Sequence, residues 1–491
     1  MSLIDQYPKL ETISKTCLNN LVEDAVDWAH AVGMIMRTSE HVDTSDICQM
    51  APFTLFPSPF PRFLFEQAMG VQEAMNLLYF RVSWDYDFLV AAHNDVAKTD
   101  EFTRNLVNIF KAVHGEGVHQ KKTLVVQRSD YMCHTTETTM SLRQIEVNNI
   151  AVSMGGLSER VSTLHYRTLQ DVGVSTKTLK RALPENKPIA TIGKGLYEAW
   201  KGFDDSSALI LFVVEPQNQN QFDQRYVEYE VDKLSERQVK CVRLTFSECG
   251  RRLTLGGSDN YSLMLDNTKR IAIVYFRAGY TPDHYASSTD WETRLLIERS
   301  NAIKCPWIGL HLANTKKVQQ ILTEDGQIER FIPEDSNACK MIRSTFARIW
   351  GLEKENKSTE AVIQHAITNP SGYVLKPQLE GGAGNYYGAE VAEKLRCLDA
   401  DALAAHVLME RIYPKSVKNF LVRPMKGAEL TNTIGELGIY GYLYGTGSFE
   451  SQNLKVQSNY AHGHILRSKN EKEDKGGVAV GAAVIDSVFL Y

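Results

Sequence analysis

Three polar side chains alternate along a short segment in the last third of the chain. Lys376, Gln378 and Glu380 follow Tyr373 and Val374, and an aromatic and β-branched opening is typical of a strand. Alternate side chains of a strand share one face. That face would carry a cation for phosphate oxygens, an amide, and a carboxylate of the kind that Mg²⁺ prefers. The spacing is therefore what a phosphate and metal site would need.

A glycine-rich stretch comes directly after this segment, with Gly381, Gly382 and Gly384 around one alanine. Such a backbone can fold over a phosphate and present its N–H groups to it. A surface hairpin with an ordinary glycine turn explains the same residues equally well. Pro377 predicts an edge position for the strand, because proline cannot donate a hydrogen bond to a neighbouring strand.

A second set of oxygen ligands is predicted in the strand 144–148, where Glu146 and Asn148 lie two residues apart. With Glu380 they would supply three hard oxygen donors, enough for Mg²⁺ once phosphates and waters complete the shell. Taken alone, the pair is better explained as the polar face of a half-exposed strand.

Arginines stand at the ends of three predicted strands. Arg128 is followed by Asp130, Arg277 follows the apolar run 271–276, and Arg467 precedes the last glycine-containing loop. An arginine in such a place can bind a carboxylate with two hydrogen bonds. The alternative is a structural ion pair, such as a surface pair of Arg128 with Asp130. Their recurrence in a chain of net charge -5 indicates an anionic ligand.

The composition excludes several classes of function. The chain has 491 residues, 43% hydrophobic and 23% charged, which predicts a globular protein of roughly three domains. The mild negative charge argues against nucleic acid or an anionic membrane as partner. Eight scattered cysteines without a CxxC pair, and no visible secretory signal, favour a cytoplasmic location. Neither a P-loop nor a GxSxG nucleophile motif is found.

The predicted elements change character along the chain. The N-terminal third has helical periodicity, interrupted by the proline-rich segment 51–62, which should be extended and outside any central strand. Strands alternate with helices over 205–310, which predicts an α/β unit with parallel pairing, and 290–304 is predicted as one helix. Further strands are predicted at 373–380, 405–410, 434–444 and 460–466.

Taken together, these segments resemble the eukaryotic glutathione synthetase family of ATP-grasp ligases. The resemblance is carried, in family order over nearly the whole chain, by APFTLFPS (51–58), RSDY (128–131), QIEVN (144–148), GGLS (155–158), FDQR (222–225), VYFRAGY (274–280), WETRLLIERS (291–300), TKKVQQ (315–320), LKPQ (375–378), ELGIYG (436–441), LRSK (466–469) and GGVA (476–479). It implies ATP-dependent joining of γ-glutamylcysteine to glycine through an acyl phosphate, so that no protein nucleophile is needed.

The resemblance also implies roles for individual residues. The Mg²⁺ ligands would be Glu146, Asn148 and Glu380, and the catalytic residues Arg128, Lys376 and Arg467. ATP would contact Glu146, Lys316, Lys376, Gln378, Glu380, Gly381, Gly382, Asn385, Tyr387, Met409, Glu410, Arg411, Ile412, Glu436, Lys469 and Lys475. The peptide substrate would contact Arg128, Ser153, Asn218, Asn220, Gln224, Arg277, Tyr280, Arg467, Val478 and Ala479.

The chain departs from the family pattern at a few places. Leu379 stands where an Arg is usual, and Ala383 and Gly384 where Gly and Asn are usual. Lys475 replaces an Asp, Ala151 a Ser, and Asn218 a Glu. Because the metal ligands and main cations are retained, we interpret these as adjustments of the site.

The expected fold is α+β, an ATP-grasp fold with an inserted α/β substrate-binding domain and a lid. The predicted divisions are 1–204 for the N-terminal helical region and first part of the core, 205–310 for the inserted domain, and 311–491 for the rest of the core with both glycine-containing loops. A homodimer is expected. The alternatives are an ATP-grasp ligase with another acceptor amine, and a weakly catalytic nucleotide-binding pseudo-ligase.

Overall fold

The computed structural model describes residues 2–257, 261–353, 357–378, 384–474, 478 and 481–491. Seven residues named above lie outside the described ranges, namely Leu379, Glu380, Gly381, Gly382, Ala383, Lys475 and Ala479. The fold is α+β, as predicted. None of the helices within those ranges combines the length and the apolar character needed to cross a membrane.

Residues 2–116 form helices interrupted by four short strands. The α-helices and strands of this range are α1 (Lys15–Ala31), β1 (Ile35–Arg37), β2 (Cys48–Met50), β3 (Phe53–Thr54), β4 (Ser58–Phe60), α2 (Arg62–Val82), α3 (Tyr86–His93), α4 (Val96–Thr99) and α5 (Glu101–Glu116). Helix α1 begins where Ser14 Oγ accepts a hydrogen bond from Cys17 N at 3.3 Å. This cap satisfies one of the free N–H groups of the first turn.

A seven-stranded sheet forms the centre of the molecule, in the order β17–β3–β20–β19–β18–β5–β6, with β17 also paired to β18. The strands named here for the first time are β5 (Lys122–Thr135), β6 (Met140–Asn148), β17 (Ser416–Val422), β18 (Glu429–Thr446), β19 (Lys455–Asn470) and β20 (Val484–Asp486). The last strand, β21 (Val488–Leu490), pairs with β4.

Two cores cover the two faces of this sheet, because adjacent strand residues point to opposite sides. Val126 and Tyr442 belong to one core and Val125 and Leu443 to the other. The first core includes residues of α6 (Gly155–Asp171) and α8 (Pro188–Lys201), with α7 (Thr176–Ala182) between them in sequence. The second core includes residues of α2 and α5.

The proline-rich segment corrects one expectation. Phe53 and Thr54 form β3, which lies inside the large sheet between β17 and β20. The segment reaches this position because β3 is only two residues long and its prolines lie outside it. A strand so short needs few backbone donors, so flanking prolines do not exclude it from the interior of a sheet.

The predicted α/β unit is present. Strand β7 (Leu209–Val213) pairs in parallel with β8 (Cys241–Leu244) and β11 (Lys269–Phe276), and β11 pairs in parallel with β12 (Ile303–Cys305). An antiparallel extension that the sequence did not predict adds β9 (Leu253–Gly256) and β10 (Ser262–Leu265). The accompanying helices are α9 (Gln221–Leu234), α10 (Phe246–Arg252) and α11 (Ser288–Arg299). The boundaries at 204/205 and 310/311 stay predictions.

The prediction of one helix over 290–304 was wrong in its second part. Helix α11 ends at Arg299, and Lys304 lies in strand β12 with its Nζ 2.8 Å from Ser300 O. Periodicity alone did not separate helix α11 from strand β12. The buried ammonium group of Lys304 donates hydrogen bonds to backbone carbonyls, and such contacts cannot be seen in the sequence.

A four-stranded antiparallel sheet, β13–β16–β14–β15, faces the large sheet across the site. Its strands are β13 (Ile349–Gly351), β14 (Tyr373–Pro377), β15 (Tyr386–Tyr387) and β16 (His406–Glu410), and the helices from α12 onward are α12 (Ile308–Ala313), α13 (Lys316–Leu322), α14 (Gln327–Phe331), α15 (Ser336–Thr345), α16 (Lys357–Thr368), α17 (Ala389–Cys397) and α18 (Ala400–Ala404).

The edge position predicted from Pro377 was wrong for the strand as a whole. Strand β14 lies between β16 and β15, but β15 pairs only with Val374 and Leu375. Pro377 therefore lies beyond the end of β15, where no neighbour on that side needs its missing N–H.

Candidate functional site

A cavity of about 420 Å³ opens between the four-stranded sheet and the large sheet. It is lined by strand β14 on one side and by β18 and β19 on the other, with β6 and the start of α13 at its inner end. Most of the residues predicted to contact ATP lie in its wall, namely Glu146, Lys316, Lys376, Asn385, Tyr387, Met409, Glu410, Arg411, Ile412, Glu436 and Lys469, together with Arg467.

Strand register brings the charged groups of this wall together. Arg128 lies opposite Asn148, and Asp130 opposite Glu146, across β5 and β6. Glu436 of β18 lies opposite Arg467 of β19 and is also next to β5. Residues far apart in sequence thus meet on one face because four long segments pair side by side.

Asp130 is fully buried and holds two arginines. Arg128 donates from Nε to Oδ1 and from Nη2 to Oδ2, both at 2.7 Å, and Arg467 Nη2 donates to Oδ2 at 2.7 Å. Two such contacts from Arg128 fix the plane of its guanidinium group. The proposed surface pair of Arg128 with Asp130 is therefore wrong in location: the pair exists, but inside the protein.

Gly438 makes room for this pair. A Cβ atom there would lie 2.6 Å from Asp130 Oδ1 and 2.8 Å from Arg128 Cδ. Any side chain at 438 would displace the ion pair, since real Cβ atoms do not approach so closely. No local pattern predicts this role for Gly438, although it lies in the segment 436–441.

The pKa values of Glu146 and Glu436 are shifted in opposite directions, although the two carboxylates share the same surroundings. Burial raises the pKa of Glu146, but the positive charges of Arg467, Lys316 and Lys376 outweigh it and hold that pKa below its usual value. Burial dominates at Glu436 and raises its pKa above the usual value despite Arg467. Glu146 is therefore the carboxylate better suited to stay ionised beside a cation.

The donor set fits a hard divalent cation. Carboxylate oxygens of Asp130, Glu146 and Glu436 all lie within 4.8 Å of one another. Asp130 is occupied by its two arginines, while Glu146 has Arg467 only at 3.8 Å. Asn148 adds an amide that donates to Glu146 Oε1 at 3.4 Å. Oxygen-rich groups of this kind suit Mg²⁺, with Glu146 as the available carboxylate among the described residues.

Two buried lysines provide the cationic side of the cavity. Lys376 Nζ lies 3.4 Å from Ile145 O, and burial lowers the pKa of Lys376 to about 8, with Glu146 opposing the shift. Lys316 stands at the first position of α13. Burial disfavours the charged form of Lys376, so an anion bound beside it would favour the ammonium form.

The outer part of the cavity is built from β15, β16 and the segment after β19. Arg411 Nη2 lies 3.1 Å from Asp474 Oδ1, and Lys469 donates to Asp474 O at 2.9 Å. Asn385 donates to Tyr387 OH at 3.5 Å. Gln378 is not in the wall: its Oε1 accepts from Lys317 N at 3.2 Å.

Two of the predicted substrate residues, Arg128 and Arg277, contact the loop 149–154. Arg128 Nη1 donates to Ser153 O at 3.3 Å, and Arg277 Nη1 donates to Val152 O at 2.5 Å. Val478 is buried in the first core. Arg277 follows β11 directly, so this loop lies between the charged wall and the strand ends of the α/β unit. Asn218, Asn220, Gln224 and Tyr280 lie at those strand ends and at the start of α9.

Asp223 is a residue that the sequence analysis missed. It lies in α9 and its carboxylate accepts hydrogen bonds from Met154 N at 2.6 Å and Gly156 N at 2.8 Å. It therefore caps the start of α6 and fixes the end of the loop 149–154. The sequence feature that could have revealed Asp223 is its position in the segment FDQR (222–225), in which only Gln224 was predicted to have a role.

Comparison with known proteins decides the family. The model of the family described as "Eukaryotic glutathione synthase, ATP binding domain" matches residues 15–490. Glutathione synthetase of Mus musculus is 38% identical over 474 residues, covering 96% of this chain and 97% of its own. The chain belongs to the eukaryotic glutathione synthase family.

Other members show how far the family extends. The chloroplastic glutathione synthetase of Solanum lycopersicum is 35% identical over 487 residues, covering 97% of this chain and 85% of its own. A solved structure, a glutathione synthetase like-effector from Globodera pallida in apo form, superposes with a TM-score of 0.76 at 28% identity, covering 97% of this chain and 98% of its own. The predicted resemblance and the ATP-grasp fold are thus confirmed.

Proposed function

We propose that this member of the glutathione synthase family joins γ-glutamylcysteine to glycine while cleaving ATP to ADP and phosphate. The observation that carries the proposal is the convergence of Lys316, Lys376 and Glu146 on one cavity in a chain matched to glutathione synthetases over almost its whole length. Cations for phosphates beside a carboxylate for a metal are what phosphoryl transfer needs.

The charge of each residue in the cavity determines its proposed role. Lys376 and Lys316 neutralise phosphate oxygens, Glu146 and Asn148 hold Mg²⁺, and Tyr387 with 409–412 surrounds the nucleoside. A Mg²⁺ ion held by these residues would supply positive charge for the phosphate groups. Glu380 is proposed as a further ligand and lies outside the described residues, as do Gly381 and Gly382 of the proposed lid.

The substrate side relies on arginines. Arg128, held in one plane by Asp130, lies beside the loop 149–154 and orients the substrate carboxylate that receives the phosphoryl group. Arg467 forms ion pairs with both Asp130 and Glu436. It thereby links the carboxylate that holds Arg128 to the carboxylates around the proposed metal site. Fixed positive charge at these points stabilises negative charge without reorganisation. The glycine amine then attacks the acyl phosphate, and exclusion of water prevents its hydrolysis.

The test is an assay of the purified chain with ATP, Mg²⁺ and γ-glutamylcysteine, in which glycine is compared with serine and β-alanine. Release of ADP and the product mass are measured together. Fastest turnover with glycine supports the proposal. Preference for another amine would change the acceptor but keep the mechanism, and no turnover with any amine would contradict the ligase function.

Two further proposals accompany the activity. The chain is proposed to act in the cytoplasm, which its eight free cysteines suit, because reducing compartments keep thiols unpaired. It is also proposed to be a homodimer, with the N-terminal helices as the candidate interface. Fractionation of cells and sedimentation of the purified protein test these two statements.

A further inference from the structure

A carboxylate without an assigned role stands at the substrate edge of the α/β unit. Glu215 lies two residues after the end of β7, and Arg277 follows the end of β11 directly. The two strands are parallel neighbours, with Val213 beside Phe276. Both side chains therefore belong to the carboxyl edge of this sheet, the place where open parallel sheets bind ligands.

Glu215 is surrounded by neutral or titratable donors. Its Oε1 accepts from Tyr280 OH at 2.9 Å and lies 3.1 Å from His284 Nε2, and its Oε2 accepts from Asn218 Nδ2 at 2.7 Å. Burial raises the pKa of Glu215, but hydrogen bonds from these partners and the charge of His284 outweigh it and hold the pKa below its usual value. The carboxylate is thus kept ionised at neutral pH.

Neighbouring carboxylates of the unit are already satisfied. Glu228 is paired with Arg225 at 2.7 Å and with Arg243 at 2.5 Å. Asp223 accepts from the backbone at the start of α6. In the described part of the chain, His284 is the ion-pair partner of Glu215. Neither an arginine nor a lysine forms an ion pair with Glu215 in that part of the chain.

A second acceptor is linked to Glu215 through Asn218. Asn220 is only 7% exposed, and its Oδ1 has no hydrogen-bond partner in the described residues. Asn218 joins the two, because its Oδ1 accepts from Asn220 N at 2.7 Å while its Nδ2 donates to Glu215. A buried amide oxygen without a donor is costly unless a ligand supplies one.

We propose that Glu215, together with Asn220 Oδ1, receives the ammonium group of the γ-glutamyl substrate. This inference rests on the proposed function, since γ-glutamylcysteine bears one ammonium group and two carboxylates. The carboxylates suit the arginines, whereas a group with three donors and a positive charge needs acceptors only. An ionised carboxylate and an unpaired amide oxygen meet that need, with Tyr280 and His284 positioning Glu215.

The experiment compares two substrates on two proteins. Glutarylcysteine is γ-glutamylcysteine with hydrogen in place of the ammonium group, so the ratio of kcat/KM values for the two dipeptides measures recognition of that group. Loss of a hydrogen bond to a charged group changes such a ratio by about 10- to 100-fold. Wild type should prefer γ-glutamylcysteine by that margin, and Glu215→Gln should reduce the preference by about tenfold or more, through KM of the dipeptide and not of ATP.

Control variants separate recognition from folding. Glu292→Gln changes an exposed carboxylate on α11 of the same unit and should keep the wild-type ratio. Glu215→Asp keeps the charge on a shorter side chain and should keep part of the preference. Equal melting temperatures of all variants show that the fold is unchanged.

The outcomes distinguish this inference from the proposed function. A Glu215→Gln enzyme that makes glutathione with the wild-type substrate ratio overturns the role of Glu215 and leaves the function intact. If wild type turns over neither dipeptide, the proposed function fails. Calorimetric Kd values for both dipeptides then still test Glu215, because the same loss of preference is expected in binding.

Discussion

Arg128 and Asp130 face the same side of β5 and form a doubly hydrogen-bonded ion pair, with both N–O distances at 2.7 Å. Both residues are buried, and Arg467 and Asn148 approach the same carboxylate at 2.7 and 2.9 Å. One side chain therefore positions two arginines and a proposed metal ligand. Its loss should affect the stability of the sheet as well as the site.

We expect Asp130→Asn to lower the free energy of unfolding by about 3 kcal/mol, because removal of one partner leaves buried guanidinium groups without their counter-charge. Urea unfolding followed by tryptophan fluorescence measures the change. Glu116→Gln is the matched control, since Glu116 forms a similar double contact with Arg299 at the surface. An exposed pair contributes about 1 kcal/mol or less. Equal losses in the two variants would contradict the structural role of Asp130.

Glu146→Gln should raise the Mg²⁺ concentration for half-maximal ADP release by about tenfold or more, because an amide binds a hard cation less well than a carboxylate. The measurement is a Mg²⁺ titration at fixed ATP. Glu137→Gln, at the exposed turn between β5 and β6, serves as the control. A slower enzyme with an unchanged Mg²⁺ dependence would show that Glu146 acts otherwise than as a ligand.

ATP affinity should fall as the pH rises through about 8, the pKa to which burial lowers Lys376. Above that pH the free lysine is neutral and attracts phosphate less, so binding near pH 8 should also take up protons. Isothermal titration calorimetry from pH 7 to 9 in buffers of different ionisation enthalpy measures both effects.

Lys376→Met should weaken ATP binding at pH 7 by about 10- to 100-fold, the effect of losing a charged contact, and should remove the dependence around pH 8. Lys317 has a pKa of about 8 as well, also because of burial. A pH dependence that survives in Lys376→Met would therefore assign it to another group and contradict our interpretation.

Local patterns in the sequence place some residues of this site together and leave others unconnected. Local spacing places Glu146 with Asn148, and strand ends place Arg277, because these relationships are contained in a few consecutive residues. The contacts of Arg467 with Asp130 and Glu436 depend on the register of β5, β18 and β19, which no local pattern specifies.

Burial was the other quantity that local patterns did not give. The sequence around Arg128 and Asp130 does not tell whether the pair lies at the surface or in the core. Glu215 likewise has no special sequence context, and only its contacts with Tyr280 and His284 distinguish it. Strand lengths decided two further positions. Phe53 enters the large sheet because β3 is only two residues long, and Pro377 has no neighbour on one side because β15 pairs only with Val374 and Leu375. Tertiary contacts, not intrinsic preferences, determined these outcomes.

Asp486 gives a prediction about stability away from the cavity. It is fully buried in β20, and burial raises its pKa to about 6 despite hydrogen bonds from Ser58 and Ser468 hydroxyls at 2.6 Å each. The folded protein thus binds this proton more tightly than the unfolded chain, whose pKa is near the model-compound value of 3.8. The stabilising contribution is complete below about pH 4 and is lost as the pH rises through about 6.

Asp486→Asn carries no ionisable group and should not suffer this loss. Relative to wild type, its free energy of unfolding should rise by roughly 3 kcal/mol between pH 4 and pH 7, the value of a shift of about two pKa units. Urea unfolding of both proteins at several pH values measures the difference, with Asp43→Asn, an exposed carboxylate, as control. Parallel curves for wild type and Asp486→Asn would mean that this carboxyl group keeps its ordinary pKa in the folded protein.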